Sequence, residues 1–172
     1  MKLTRYALLL TAVALLGACS TSADRFGPGS GAGAGAGALG AGALGSPSDP
    51  TSVAYFQQTV GDRVLFVVDQ STLTGEAQAT LMQQAAFMTS NPEYTAIIEG
   101  HADERGTREY NLALGARRAS AVQDFLVTQG VAPNRLQTVT YGKERPLEIC
   151  SDEACYSQNR RAVTVLGAGL GS

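Results

Sequence analysis

"EGHADERGTREYNLALGARRASAV", Glu99 to Val122, passes from a strand into a helix, and the fold turns on where that change falls. Upstream, Tyr94 to Glu99 alternates in the pattern of a sheet. "GHADERGT" interrupts the alternation as a loop, and apolar spacing predicts a helix from about Thr107 to Gln129, ended by Gly130 and Pro133. With Asn111 at the origin of a helical wheel and about 100° per residue, Leu112, Leu114, Ala119, Ala121, Val122, Phe125 and Leu126 share one arc. Arg117, Ser120, Gln123 and Asp124 fall opposite or at its edge. Arg118 and Asn111 land inside it.

A guanidinium turned toward a core is tolerated only when an anion and several hydrogen bonds replace its lost hydration. Asp103, in the loop that delivers the chain to the helix, is the candidate anion, and the unpaired amides of the first helical turn favour negative charge there. Two arrangements meet the requirement. In one, Asp103 and Arg118 form an internal salt bridge that fixes the loop. In the other they flank a crevice and divide a zwitterionic ligand, Arg118 gripping a carboxylate in two-pronged fashion and Asp103 accepting an ammonium. Spacing alone favours the salt bridge.

Working outward, "RVLFVV", Arg63 to Val68, reads as a buried strand. A helix follows Thr74, a good N-cap, with Glu76 in its first turn and Ala77, Leu81, Ala85 and Met88 on one face, stopped by Asn91-Pro92. Leu136 to Tyr141 gives a third strand. Arg160 to Leu166 gives a fourth, after a cysteine loop and one short helical turn. Strands alternating with helices make an α/β sandwich, its sheet packed on its helices. No internal repeat is present.

The chain's 172 residues leave room for one domain and little more. Residues 1–18 carry Lys2 and Arg5, then an apolar run from Ala7 to Leu16 and small residues, the layout of an export signal to be removed. "LLGACS" resembles the lipobox of bacterial lipoproteins, which makes Cys19 the acylated new N-terminus and, since Ser20 rather than aspartate follows, points to the outer membrane. Three acyl chains would anchor it stably, since two membrane signals already do so. Residues 19–51 include "GPGSGAGAGAGALGAGALG", a flexible tether without core-forming side chains. About thirty residues of it reach roughly 30 Å relaxed and about 100 Å taut. The folded head then spans 52–166, and 167–172 form a flexible tail.

A net charge of −2 offers no basic field for nucleic acid. Cys150 and Cys155, five apart in an exported chain, read as a disulfide loop, with free thiols as the alternative. A thiol enzyme would have only His101 as a base, and one histidine with disulfide-prone cysteines leaves too few ligands for zinc. No metal or other cofactor is expected.

"EGHADERGTREYNLALGARRASAV", with "YGKERP" before the cysteine loop and "YSQNRRAV" after it, closely resembles the OmpA-like domain family and, within it, the peptidoglycan-associated lipoproteins, over the whole of the head. The resemblance implies a two-layer sandwich with about four strands in a mixed sheet, packed against two main helices and a short one. It implies non-covalent attachment to the peptidoglycan stem peptide through diaminopimelate, and membership of the Tol-Pal envelope system with a TolB-like periplasmic propeller protein as partner. Position by position, the resemblance makes Asp103 and Arg118 the ligand-binding pair, with Asn111 and Leu114 lining the same crevice and Phe66, an aromatic on the first strand, as a further ligand-binding residue. That choice favours the divided zwitterion. Asn159, Arg160 and Arg161 match the family's "NRR", whose role is more architectural. Val67 stands where many relatives carry an acidic residue, leaving Asp69 alone of two. A static tether outside the Tol system is the neighbouring alternative. A peptidoglycan-cleaving enzyme, drawing acid and base from Glu99, His101, Asp103 and Glu104, is the competing class.

Overall fold

Two pairs of residues set the layers, and both are explained by what lies between a strand and the helix that follows it. The computed structural model describes residues 45–149 and 151–168. The expected export signal, Cys19, the expected tether up to residue 44, Cys150 and the last four residues lie outside them. The Ser52 hydroxyl accepts from the Tyr55 amide at 3.0 Å and opens a helical turn, α1 (Val53–Tyr55), which continues as a wider π-type turn over Phe56–Gly61. Then follow β1 (Arg63–Leu65), α2 (Gly75–Ser90), β2 (Tyr94–His101), α3 (Arg108–Thr128), a 3-10 turn (Pro133–Arg135), β3 (Leu136–Gly142), α4 (Glu153–Asn159) and β4 (Arg161–Ala168).

The sheet runs β1-β4-β2-β3. β4 lies antiparallel to both β1 and β2, whereas β2 and β3 are parallel, and a parallel pair needs a crossover, which α3 supplies. The mixed α/β sheet is therefore the one expected. Both main helices start where their caps require: the Thr74 hydroxyl accepts from the Ala77 amide and that of Thr107 from the Tyr110 amide, each at 3.2 Å. One face of the sheet, with Val64, Ala96, Ile98, Ala162 and Leu166, packs against Leu81, Ala85 and Met88 of α2 and Ala119, Val122 and Leu126 of α3. On the other face Leu65, Ile97 and Val165 are exposed.

The first of the two pairs is Gly100 on β2 and Gly115 on α3. A Cβ on Gly100 would overlap the Gly115 carbonyl, and one on Gly115 would meet the Thr140 hydroxyl and the Gly100 carbonyl. Two residues without side chains let α3 lie directly on β2, which brings the loop between them under the helix. The second pair is Arg118 and the end of β1. "RVLFVV" forms only a three-residue strand, because the carbonyls of Val67 and Gln70 turn away from the ladder to accept from the Arg118 guanidinium. The chain reverses there with Asp69 at φ 58°.

Other boundaries differ less. β2 takes in Gly100 and His101, and β4 continues to Ala168, which pairs with Tyr94. Short helices number two among the described residues, α1 and α4, where one was expected. Cys155 in α4 is disulfide-bonded, and its expected partner Cys150 lies outside the described residues.

Candidate functional site

At the end of the sheet where β2 meets α3, ten residues enclose a cavity of about 330 Å³: Val68, Asp69, Asp103, Arg105, Gly106, Tyr110, Asn111, Leu114, Arg118 and Arg160. Asp103, Asn111, Leu114 and Arg118 are thus brought together as expected from the sequence. Phe66 is not in the wall. It belongs to the core, with the Arg118 guanidinium 5.1 Å from its ring centre, so it supports the arginine from beneath.

Arg118 is 0 % exposed. Its Nε donates to the Gln70 carbonyl at 2.9 Å, Nη1 to that of His101 at 2.7 Å and Nη2 to that of Val67 at 3.2 Å. Among the described residues no carboxylate lies within 4.0 Å of it, so the internal salt bridge to Asp103 does not form. Burial pulls its pKa down to about 10, with Asp103 opposing, and the group stays charged at neutral pH. Guanidinium has five N–H donors; three are committed to carbonyls, which leaves one on each Nη. Arg135 makes a similar clamp, donating to Met88, Asn91 and Tyr94 carbonyls, but is partly exposed and lies outside the crevice wall.

Asp103 has other partners. Its Oδ2 accepts from Arg105 Nη2 at 2.6 Å and from Arg160 Nη1 at 3.2 Å, and its Oδ1 from the Arg105 amide at 3.2 Å. Burial pushes this carboxyl up, but the bonds from Arg105 and Arg160 outweigh it and hold the group below the ordinary carboxylate value. Arg160 is fixed by two further contacts, to the Phe66 carbonyl at 3.2 Å and Glu153 at 2.5 Å. Asp69 accepts from the Tyr110 hydroxyl across the crevice mouth. Three arginines and two aspartates stand in the wall, and Glu153, just outside it, pairs with Arg160 and lies 3.6 Å from Arg105.

The loop behind these side chains is held by its backbone. Asn111 Nδ2 donates to the Arg105 carbonyl at 2.8 Å, and Lys143 Nζ to those of Gly106 at 2.8 Å and Glu104 at 3.3 Å. Gly106 sits at φ 87°, where a side chain is strained. Asn159 of the "NRR" run pins the segment before α4, accepting from the Leu147 and Glu148 amides at 2.7 and 3.1 Å. Its role is architectural, and that of Arg160 is shared between scaffold and wall.

His101 and Glu99 lie elsewhere. The His101 ring is buried beside Tyr141, 5.5 Å between ring centres, and lines no part of the crevice. Both its nitrogens lack a hydrogen-bond partner, and Glu99 is 3.7 Å from Nε2. Burial, with Arg161 and Arg145 adding to it, lowers its pKa to about 4, so the ring is neutral and the Glu99 contact is not an ion pair at neutral pH.

Sequence reasoning missed Arg105, Tyr110, Gly106 and Val68 as wall residues. They sit in the loops and at the helix start, where no periodicity marks them.

A parallel-antiparallel sheet with this crevice at one end defines a class, and the comparisons agree. The OmpA family matches residues 65–160. A peptidoglycan-associated lipoprotein from Mesorhizobium japonicum is 49% identical over 168 residues, covering 97% of this chain and 96% of that protein. One from Rhizobium meliloti is 57% identical over 134 residues, 78% of this chain and 73% of that protein. The crystal structure of the peptidoglycan-associated lipoprotein from Burkholderia pseudomallei superposes with a TM-score of 0.63 at 40% identity, covering 70% of this chain and 98% of that one. The C-terminal domain of Helicobacter pylori MotB, at 19% identity and a TM-score of 0.59, shares the fold. The chain belongs to the OmpA family and, within it, to the peptidoglycan-associated lipoproteins.

Proposed function

We propose that this chain links the outer membrane to the cell wall by reversible binding of diaminopimelate, the ammonium of its side-chain centre on Asp103 and the carboxylate on Arg118. One observation carries the reading: Arg118 is charged, fully buried and in salt-bridge contact with no carboxylate among the described residues, three of its donors going to carbonyls. The two Nη hydrogens that no carbonyl takes are the fork a carboxylate would receive. Leu114 and Val68 supply apolar wall for the ligand's methylene chain.

Three or four charge-assisted bonds at about 1.5 to 3 kcal/mol each, less several kcal/mol for immobilising a flexible peptide, leave millimolar to micromolar affinity at one site. Lipid anchoring through Cys19 of many copies facing one polymer converts weak contacts into firm attachment, and weak single contacts permit exchange with a TolB-like propeller protein of the Tol system. Constriction of the outer membrane in division is the cellular role this exchange would serve. His101 turned away from the crevice supports binding rather than hydrolysis.

Co-sedimentation with purified sacculi tests the assignment. Asp103→Ala and Arg118→Ala should each abolish it with the fold intact, and Arg117→Ala, on the exposed side of α3, should sediment nearly as wild type. Full retention by both of the first two variants refutes the crevice. Co-purification from solubilised envelopes with and without the propeller protein decides between Tol membership and a static tether.

A further inference from the structure

We propose that Arg105 is a displaceable internal cation: in the free protein its guanidinium holds the place on Asp103 that a ligand's ammonium takes, and binding expels it. This rests on the ammonium-to-Asp103 assignment above. Two cations share the Asp103 carboxylate, and they are not equivalent. The Arg160 side chain is 6% exposed and carries two other anchors, the Phe66 carbonyl and Glu153. Removing it from Asp103 would strand a charge away from water. The Arg105 side chain is 45% exposed, and beyond Asp103 its polar and ring contacts among the described residues are Glu153, at 3.6 Å, and the face of Tyr156, 4.6 Å from the ring centre. Both of those contacts belong to α4, outside the crevice wall.

The backbone is arranged for a side chain to move alone. The carbonyls of Glu104, Arg105 and Gly106 are all held, by Lys143, Asn111 and Lys143 in turn. The Arg105 amide is tied to Asp103 Oδ1. Rotation of the Arg105 side chain toward Glu153 and Tyr156 breaks one ion pair and disturbs no backbone bond. It leaves Asp103 Oδ2 with a vacant direction for an alkylammonium, while Arg160 keeps the carboxylate oriented. A pair with one half-exposed partner is partly screened and is worth on the order of 1 kcal/mol, so the self-contact lowers affinity modestly and excludes ligands lacking a cation to replace Arg105.

The test is calorimetric titration of the full chain, wild type and Arg105→Ala, with a soluble stem peptide ending in diaminopimelate. A second titration uses the same peptide with its side-chain ammonium acetylated. The proposal expects Arg105→Ala to bind the free-ammonium peptide tighter, by up to about fivefold, and to show no gain for the acetylated peptide. Circular dichroism checks the fold. Unchanged affinity overturns it. So does a loss of tenfold or more, which would make Arg105 a ligand contact; if Asp103→Ala then also abolishes binding, the crevice assignment stands without the displacement. Absence of binding by wild type sinks both.

Discussion

On the proposed function Arg118 both binds ligand and ties strand ends together, and the second part is measurable by itself. Its guanidinium ties the end of β1 (Val67 and Gln70) to the end of β2 (His101), so Arg118→Ala removes donors from three carbonyls. The bond to His101 is buried and the other two are partly so, and a stranded buried group costs about 1 to 3 kcal/mol, relieved at the more open carbonyls by water. A urea midpoint lowered by a loss of about 3 kcal/mol is the expected outcome, with no comparable change for Arg117→Ala. His101 gives a second prediction. Its folded pKa of about 4 lies below the unfolded value of 6.5, so between these pH values the unfolded chain holds the extra proton. Stability therefore rises with pH through that window, by up to about 3 kcal/mol, and His101→Gln should flatten the rise measured by urea unfolding at pH 4.5 and 7. Arg118 and Asn111 were legible because a helical wheel exposes any polar residue on an apolar arc. Arg105 and Tyr110 were not, since their positions depend on a loop path that no repeat encodes.

At the scale of elements, the two main helices were readable, and the first strand was placed but not its end. Thr74 and Thr107 announce α2 and α3 through their caps, and Asn91-Pro92 and Gly130 close them. "RVLFVV" has the composition of a six-residue strand, yet β1 stops at Leu65 because a residue on a distant helix claims the carbonyls beyond it. α1 escaped notice for a related reason: its one strong signal, Ser52 as N-cap, precedes only a single regular turn before the π-type turn. The Gly100 and Gly115 contact is likewise invisible in one dimension. Gly115→Ala should force α3 away from β2 and Thr140, at a cost of about 2 to 3 kcal/mol typical of overpacking. Chemical denaturation measures it, and a variant as stable as wild type would remove the close approach from the account.

For the whole molecule, the proposed function has the anchor and the crevice acting together. On that reading a head with millimolar to micromolar affinity attaches firmly only when held near its polymer, so replacing Cys19 with Ser, which removes the residue expected to be acylated, should weaken apparent binding to sacculi by about 10²-fold or more relative to the same chain in vesicles. Comparison of the two forms in a sedimentation assay reads this directly. The central claim, however, concerns a few ångströms between a buried arginine and an aspartate already shared by two other arginines. It is tested most directly by a crystal structure of the protein with diaminopimelate at saturation. The account predicts the ligand's carboxylate on both Arg118 Nη atoms, its ammonium on Asp103 and Arg105 swung out toward Tyr156. Diaminopimelate bound elsewhere, or the crevice closed with Arg105 still on Asp103, would contradict it.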